Sequence, residues 1–171
     1  MQKRLDWNEY FLQIALSVAA RSTCLRRKYG AVITDNTNTI VGTGFNGAPR
    51  GVPNCVDKGV CIRNQLGIAK GQMYEICEAV HAEQNAIINS DPARMRGGVI
   101  YIAGLEADGT FADGEPCLLC SRAIINARIA KAVFYNKEGQ IKVVDVCPDW
   151  VVAKMQAFTN QRLSDALKNN F

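Results

Sequence analysis

The fold of this chain is set by the stretch His81-Ala82-Glu83-Gln84-Asn85-Ala86-Ile87, which has the spacing of the first turns of a helix. A second stretch, Pro116-Cys117-Leu118-Leu119-Cys120, opens another predicted helix over residues 117–128. Its two cysteines are three residues apart, so they lie on one face of the first turn. The sequence therefore predicts two helix N-termini that carry an imidazole, a carboxylate and two thiols.

These side chains suit a catalytic zinc ion. His81, Cys117 and Cys120 would supply three ligands and leave the fourth tetrahedral position open, as in catalytic rather than structural zinc sites. Bound zinc lowers the pKa of water from about 15.7 towards about 7. Glu83 follows His81 closely enough to accept a proton from such a water and return it to a substrate. We therefore predict a zinc centre with Glu83 as its proton carrier.

Other interpretations of these residues have to be weighed. A lone histidine is usually a surface or packing residue, and C-x-x-C also occurs in redox pairs and in structural zinc sites. His81 is the only histidine of the chain. Its combination with Glu83 and a downstream P-C-x-x-C favours the ligand interpretation. A thioredoxin-like pair would follow the first strand of its fold, whereas Cys117 lies far too late.

Composition points to an ordinary globular protein. With 171 residues, 48% hydrophobic and 21% charged, we expect one domain over residues 1–171 with a substantial core. A net charge of +4 permits a phosphate-bearing ligand without indicating a nucleic-acid binder. No secretory signal pattern or membrane-length apolar run is visible, so we expect a cytoplasmic location. The seven cysteines then favour metal binding over disulfides.

The remaining pattern predicts an α/β chain. Helices are predicted at 7–20 and 148–168, and strands at 30–34, 39–45, 98–103, 131–135 and 141–146. The first two strands form a hairpin. The strand, helix and strand between residues 98 and 135 imply a parallel pair with a right-handed crossover. A turn at Gly139 favours an antiparallel last strand, or none. Residues 46–78 form a long connection that contains three cysteines.

From about Arg21 to Tyr135 the chain resembles the cytidine/deoxycytidylate deaminase superfamily, most closely its deoxycytidylate (dCMP) deaminases. H-A-E with P-C-x-x-C is specific for zinc deaminases of nucleobases. The dCMP branch is favoured by Arg21-Ser22-Thr23-Cys24 and Gly44-Phe45-Asn46-Gly47, and Gly30-Ala31-Val32-Ile33 also fits. The resemblance implies a three-layer α/β/α sandwich with a central mixed sheet. It also implies hydrolysis of dCMP to dUMP and ammonia, supplying dUMP for thymidylate synthesis.

The resemblance implies roles for further residues. Glu83 would carry a proton to ring atom N3 and then to the departing ammonia, while the Ala82 amide would hold the ring carbonyl. Asn46 would hydrogen-bond the sugar. The residues implied near the 5′-phosphate are Ser22, Arg26 and Arg27. A solvated basic face is an equally open interpretation of Arg26-Arg27-Lys28.

A second, structural zinc is a separate prediction. Four cysteines lie outside the catalytic motif, namely Cys24, Cys55, Cys61 and Cys77. Four thiolates would close a tetrahedral site and brace the long connection. Cys24 and Cys55 match positions where some dCMP deaminases hold a structural zinc. The alternative is that all four are free, buried cysteines. Cys147 is left over.

The resemblance has consequences for partners and regulation. Members are often homo-oligomers, from dimers to hexamers, and some are activated by dCTP and inhibited by dTTP. Mg²⁺ could accompany such a regulatory nucleotide. No membrane partner is expected, and a nucleic-acid partner is not favoured because the composition shows no broad basic, aromatic-lined groove.

One departure from the family pattern keeps the substrate open. Leu105 to Glu115 is an insertion relative to the family, and it is expected to place Phe111 and acidic residues near the pocket mouth, where they would repel a phosphate. Alternative substrates are guanine, adenosine in tRNA, and an intermediate of riboflavin or pterin synthesis. A non-catalytic nucleotide-binding module is a further alternative, but a purely structural zinc has no use for Glu83.

Overall fold

The computed structural model describes residues 4–69 and 72–168. Its strands are β1 (Arg27–Thr34), β2 (Ile40–Phe45), β3 (Val99–Glu106), β4 (Phe111–Ala112), β5 (Lys131–Tyr135) and β6 (Ile141–Asp145). They form one sheet in the order β2-β1-β3-β5-β6, with β4 paired to β3. β3 and β5 are parallel, and the other described pairs are antiparallel. This confirms the predicted mixed sheet.

Helices cover both faces of the sheet. They are α1 (Trp7–Ala19), α2 (Cys55–Lys58), α3 (Ile62–Gln65), α4 (Ala82–Ile88), α5 (Pro92–Met95), α6 (Leu118–Asn126) and α7 (Pro148–Lys168). α1 packs on one face through Phe11, Leu12 and Ala15. α4 and α6 pack on the other face through Ala86 and Ile124. The result is the three-layer α/β/α arrangement that the resemblance implied. None of the helices in the described ranges is both long and apolar enough to cross a membrane.

The central strands are apolar on both faces because both faces are buried. In β1, Ile33 belongs to the cluster beneath α4 and α6, while Val32 belongs to the cluster beneath α1. β3 alternates in the same way, with Ile100 and Tyr101 on opposite sides. Successive strand side chains point to opposite faces, so a continuous apolar run is what a doubly covered strand requires.

Gly44 allows α4 to lie directly on the sheet. A Cβ at this position would be 2.2 Å from the backbone nitrogen of Ala86 and 2.4 Å from the carbonyl oxygen of Ala82. Any larger residue would therefore push the first turn of α4 away from β2. Since His81 and Glu83 are on or beside that turn, the absence of a side chain at Gly44 determines how close they lie to the sheet.

Most predicted elements are present, with shifted ends. α7 has its predicted bounds, and β6 is antiparallel to β5, as the turn at Gly139 indicated. The predicted loop 105–115 is instead partly a hairpin, since β3 runs to Glu106 and pairs with β4. The long connection 46–78 contains α2, α3 and a 3-10 turn, Tyr74–Ile76.

Candidate active site

The N-terminus of α4 presents His81 and Glu83. His81 caps the helix, and its backbone N–H donates to Gln84 Oε1 at 3.2 Å. Asn85 Nδ2 donates to the Phe45 carbonyl at 2.8 Å, which ties the helix to the end of β2. Glu83 is only 7% exposed. The local bonds therefore hold the histidine at the helix end and the carboxylate within the first turn.

The N-terminus of α6 presents the two cysteines. Cys117 is the N-cap residue, and Cys120 is fully buried. Ser121 Oγ donates to the Cys117 carbonyl at 3.0 Å. Just before the helix, the Gly114 N–H donates to the Tyr135 carbonyl at 2.8 Å, which anchors the approaching chain to β5. Both helix N-termini thus meet at the same end of the sheet.

The three predicted ligands converge. His81 Nδ1 lies 3.5 Å from Cys117 Sγ and 3.3 Å from Cys120 Sγ. Tetrahedral zinc, with bonds of about 2.0 Å to nitrogen and 2.3 Å to sulfur, places these atoms roughly 3.5 Å apart. The ligand atoms of all three residues lie within 4.8 Å of one another. The residues present therefore fit a zinc ion held through Nδ1 and two sulfurs.

The same contacts change the protonation of the metal-free cluster. A hydrogen bond with Cys120, followed by the interaction with His81, lowers the pKa of Cys117 to about 4. Its partner Cys120 has a raised pKa because the two thiols share one proton and because the site is buried. Burial also raises the pKa of Glu83, although the charge of His81 opposes that change. A thiolate and a carboxylate of raised basicity suit metal binding and proton transfer.

The cluster opens into a cavity of about 310 Å³. His81, Glu83 and Cys117 form part of its wall, together with the aromatic side chains of Tyr29 and Tyr74. The Tyr74 ring meets the His81 ring edge-on, with 4.9 Å between their centroids. Small-molecule sites typically measure about 300–1,000 Å³, so the cavity is of a size for one small ligand.

Ala82 and Asn46, the residues with implied roles in holding the ring and the sugar, both line the cavity. Ala82 lines the cavity as the first residue of α4, so its N–H has no acceptor within the helix. Asn46 also lines the cavity, and its Oδ1 accepts from Ser22 Oγ at 2.6 Å and from Tyr29 N at 2.7 Å. Its Nδ2 donates to the Arg27 carbonyl at 3.0 Å. One amide N–H of Asn46 therefore remains for a ligand.

Ser22 does not meet the cavity in the part of the chain that the structure describes. It is buried, and its hydroxyl donates to the carbonyl oxygen and to Oδ1 of Asn46. The contact with a 5′-phosphate implied by the resemblance is thus not supported. Its position indicates a structural role, because it fixes the orientation of the Asn46 amide.

Arg26 and Arg27 both line the cavity, but they differ in charge compensation. Arg27 Nε donates to both carboxylate oxygens of Glu106, at 2.8 and 2.7 Å. Burial lowers the pKa of Arg27, but the hydrogen bond to Glu106 and the electrostatic interactions with Tyr29, Glu106 and Tyr74 together outweigh it, so the pKa is raised. Arg26 instead donates through Nη1 to the Ile68 carbonyl at 3.1 Å. Both guanidiniums are positively charged, but only the charge of Arg27 is offset by a carboxylate at ion-pair distance among the described residues. Arg26 is therefore the better placed of the two to attract an anionic ligand.

The insertion 105–115 differs from its expected effect in two ways. Phe111 is not at the pocket mouth but packs on Tyr135 with ring centroids 4.9 Å apart, on the α1 side of the sheet. Glu106 is paired with Arg27, and Glu115 is paired with Lys154 of α7. The expected repulsion of a phosphate by these two residues is therefore reduced, because paired carboxylates present little net charge. Asp113, a third acidic residue of the segment, also lines the cavity.

The four remaining candidate cysteines line the same cavity, namely Cys24, Cys55, Cys61 and Cys77. Burial and then the neighbouring thiols of the other three raise the pKa of Cys55. Among the described residues, however, the ligand atoms of only His81, Cys117 and Cys120 meet as closely as a metal requires. The second zinc site therefore stays a prediction.

Three further residues of the wall were not found from the sequence. They are Arg63 in α3, Tyr74 in the 3-10 turn and Lys154 in α7. In the stretch Cys61-Ile62-Arg63 only the cysteine belongs to a recognisable sequence pattern. Lys154 is 39 residues beyond its partner Glu115, and no local pattern connects the two. Only the packing of α7 and the long connection brings these side chains to the cavity.

Known proteins resemble this chain in sequence. The family model of the cytidine and deoxycytidylate deaminase zinc-binding region matches residues 5–136. Deoxycytidylate deaminase of Mycobacterium phage D29 is 38% identical over 141 residues, covering 80% of this chain and 98% of the phage protein. Deoxycytidylate deaminase of Schizosaccharomyces pombe is 33% identical over 133 residues, covering 78% of this chain. The match spans only 38% of the length of the yeast protein.

Solved structures of deaminases have the same fold as this chain. The dCMP deaminase of cyanophage S-TIM5 is 25% identical, with a TM-score of 0.54 over 78% of this chain and 86% of that one. A cytidine deaminase from Burkholderia pseudomallei shares the fold at 15% identity, with a TM-score of 0.53 over 82% of this chain and 95% of that one. The zinc-binding family model matches more than three quarters of the length of this chain, so the chain belongs to the cytidine and deoxycytidylate deaminase family.

Proposed function

We propose that this protein is a zinc-dependent hydrolase that converts dCMP and water into dUMP and ammonia. The observation that carries the proposal is the convergence of His81 Nδ1 with two cysteine sulfurs beside the buried carboxylate of Glu83, all at one ligand-sized cavity. The choice of dCMP is supported by the phage relative, a deoxycytidylate deaminase matched along 98% of its length.

Metal binding and proton transfer would be carried out by different residues of the site. His81, Cys117 and Cys120 would hold zinc, which when bound makes a water acidic enough to act as a nucleophile at neutral pH. Glu83 would accept the proton of that water and deliver it to N3 of the cytosine ring. A second transfer through Glu83 would protonate the amino group at C4, which leaves as ammonia. Burial makes Glu83 a stronger base, as such a shuttle requires.

Binding groups would orient the ring and the sugar. Ala82 lines the cavity and its N–H has no acceptor within the helix, so that N–H would hold the C2 carbonyl oxygen. The remaining N–H of Asn46 would donate to a sugar oxygen, in an orientation fixed by Ser22, Tyr29 and the Arg27 carbonyl. Tyr29 Oη donates to the Asp113 carbonyl at 2.9 Å, which holds the opposite wall in place.

An assay of ammonia release across several substrates tests the proposed function. The panel contains dCMP, CMP, deoxycytidine, dCTP and guanine. We expect dCMP to give the highest kcat/KM. Clear activity on guanine or another base with none on dCMP would instead support a deaminase of different specificity. Absence of turnover on every compound would support a non-catalytic nucleotide-binding module.

We further propose a structural zinc at the cysteine-rich end of the cavity. Its support is that Cys24, Cys55, Cys61 and Cys77 come from separate segments and still line one cavity. A metal would draw their thiolates together and brace the connection between β2 and α4. Elemental analysis of the intact, active protein checks this proposal. Two zinc ions per chain would support it, and one would reject it.

A further inference from the structure

Arg63 is a buried cation that has no ion-pair partner among the residues that the structure describes. It is only 7% exposed, yet it lines the active-site cavity. Of the other cationic side chains in that wall, Arg27 is paired with Glu106 and Lys154 with Glu115. Within residues 4–69 and 72–168, neither Arg63 nor Arg26 has a carboxylate at ion-pair distance. A buried charge is strongly unfavourable unless an opposite charge compensates it.

The hydrogen bonds of Arg63 leave part of its guanidinium unused. Nη2 donates to the carbonyl oxygens of Ala69 at 3.1 Å and Gln72 at 2.8 Å. Nε, by contrast, is buried and has no acceptor among the described residues. A buried donor without an acceptor is rare, because it loses its bond to water and gains nothing in exchange. The unused donor therefore indicates an acceptor that arrives with a ligand.

The position of Arg63 relates this donor to the reacting end of the cavity. Its guanidinium carbon lies 4.8 Å from the centroid of the Tyr74 ring, and that ring lies 4.9 Å from the ring of His81. Tyr74 thus contacts both the Arg63 cation and the ring of the metal-ligand residue His81. A nucleotide bound with its base at His81 and Glu83 would have its other end within reach of the Arg63 guanidinium.

Arg26 adds a second cation on the same side. Its Nη1 donates to the Ile68 carbonyl, next to the Ala69 carbonyl that Arg63 holds. The two guanidiniums are therefore anchored on one short piece of chain. Two cations held close together repel each other unless an anion lies between or beside them.

We propose that Arg63 recognises the anionic phosphate of the substrate and so makes the site selective for a nucleoside monophosphate over the free nucleoside. This inference rests on the proposed function. Guanidinium offers several coplanar donors to phosphate oxygens, and such charge-assisted bonds are stronger than neutral ones. The ligand would supply both the missing acceptor and the missing counter-charge. Arg63, rather than Ser22 or the Glu106-paired Arg27, is then the inner phosphate contact.

The test compares phosphorylated and unphosphorylated substrates in Arg63→Gln and Arg63→Lys. We expect Arg63→Gln to lower kcat/KM for dCMP by about 10- to 100-fold and to leave kcat/KM for deoxycytidine within about threefold. Arg63→Lys keeps the charge without the planar fork, so its kcat/KM for dCMP should fall between those of Arg63→Gln and the wild type. Arg94→Gln is the control, since Arg94 is half-exposed and pairs with Asp35 outside the cavity wall.

A purely structural role gives a different result. If Arg63 only anchors the chain at Ala69 and Gln72, its loss would reduce both substrates equally, and the proposal would be wrong. An unchanged kcat/KM for dCMP would also overturn it. Binding of dUMP and of deoxyuridine, measured by calorimetry on the same variants, separates this inference from the proposed function. Even if the wild type released no ammonia from any substrate, a selective loss of dUMP binding in Arg63→Gln would support the phosphate contact, and an equal loss of both ligands would refute it.

Discussion

Glu83→Gln is expected to lower the rate of ammonia release from dCMP by about 10²- to 10⁴-fold, which is the usual contribution of a general acid–base residue. Glutamine has nearly the same shape but cannot accept a proton at neutral pH. The substitution removes no zinc ligand, because the clustered atoms belong to His81, Cys117 and Cys120. Steady-state kinetics and zinc analysis of the purified variant measure the two effects.

The control for this prediction is Glu138→Gln, which removes a carboxylate in the exposed turn between β5 and β6. It should keep the wild-type rate. The decisive comparison is between rate and metal content in Glu83→Gln. A variant with full zinc and a wild-type rate would show that Glu83 is not the proton carrier. A variant that had lost its zinc would show that Glu83 acts on the metal site instead.

Cys120→Ser is expected to remove the zinc of the catalytic cluster and with it all measurable turnover. Cys120 is fully buried, and its sulfur lies 3.3 Å from His81 Nδ1, so no nearby residue can take its place without repacking α6. A serine hydroxyl is a far weaker ligand than a thiolate. Loss of an outer-shell group typically weakens metal binding about 10- to 100-fold, so loss of a direct ligand should weaken it more.

Cys147→Ser provides the matched control, because Cys147 lies outside both candidate cysteine groups and only partly buried, just before α7. We expect it to retain zinc and activity. Elemental analysis after gel filtration, followed by the ammonia assay, compares the two variants. Retention of the full zinc content and rate in Cys120→Ser would contradict the three-ligand assignment.

The chemistry of the site was readable from the sequence because its residues come in short, local patterns. His81 and Glu83 are two residues apart, and Cys117 and Cys120 are three apart, so each pair is presented by one helix N-terminus whatever the rest of the fold does. The mixed sheet was implied by the family resemblance, and the turn at Gly139 favoured an antiparallel last strand, or none; the structure has that strand, antiparallel to β5. The single domain over residues 1–171, the homo-oligomer, the cytoplasmic location, and Mg²⁺ with dCTP or dTTP regulation stay predictions.

The charges around the cavity could not be predicted in this way. The acidic residues of segment 105–115 were expected to repel a phosphate, but two of them, Glu106 and Glu115, are paired with cations far away in the chain, Arg27 and Lys154 respectively. No sequence pattern indicated that Arg63 is buried at the cavity, since a single arginine in a polar connection is usually exposed. Ser22 was assigned to the phosphate, whereas the structure buries it against Asn46.

The sequence by itself thus determined which atoms can bind zinc and move protons, because that chemistry depends on residues one helical turn apart. Tertiary structure alone decided that Arg27 and Lys154 are paired with carboxylates, while Arg26 and Arg63 have no such partner among the described residues. The physical reason is that compensation of a charge depends on distances across the fold. Arg27 and Glu106 are 79 residues apart in the chain and 2.7 Å apart in space.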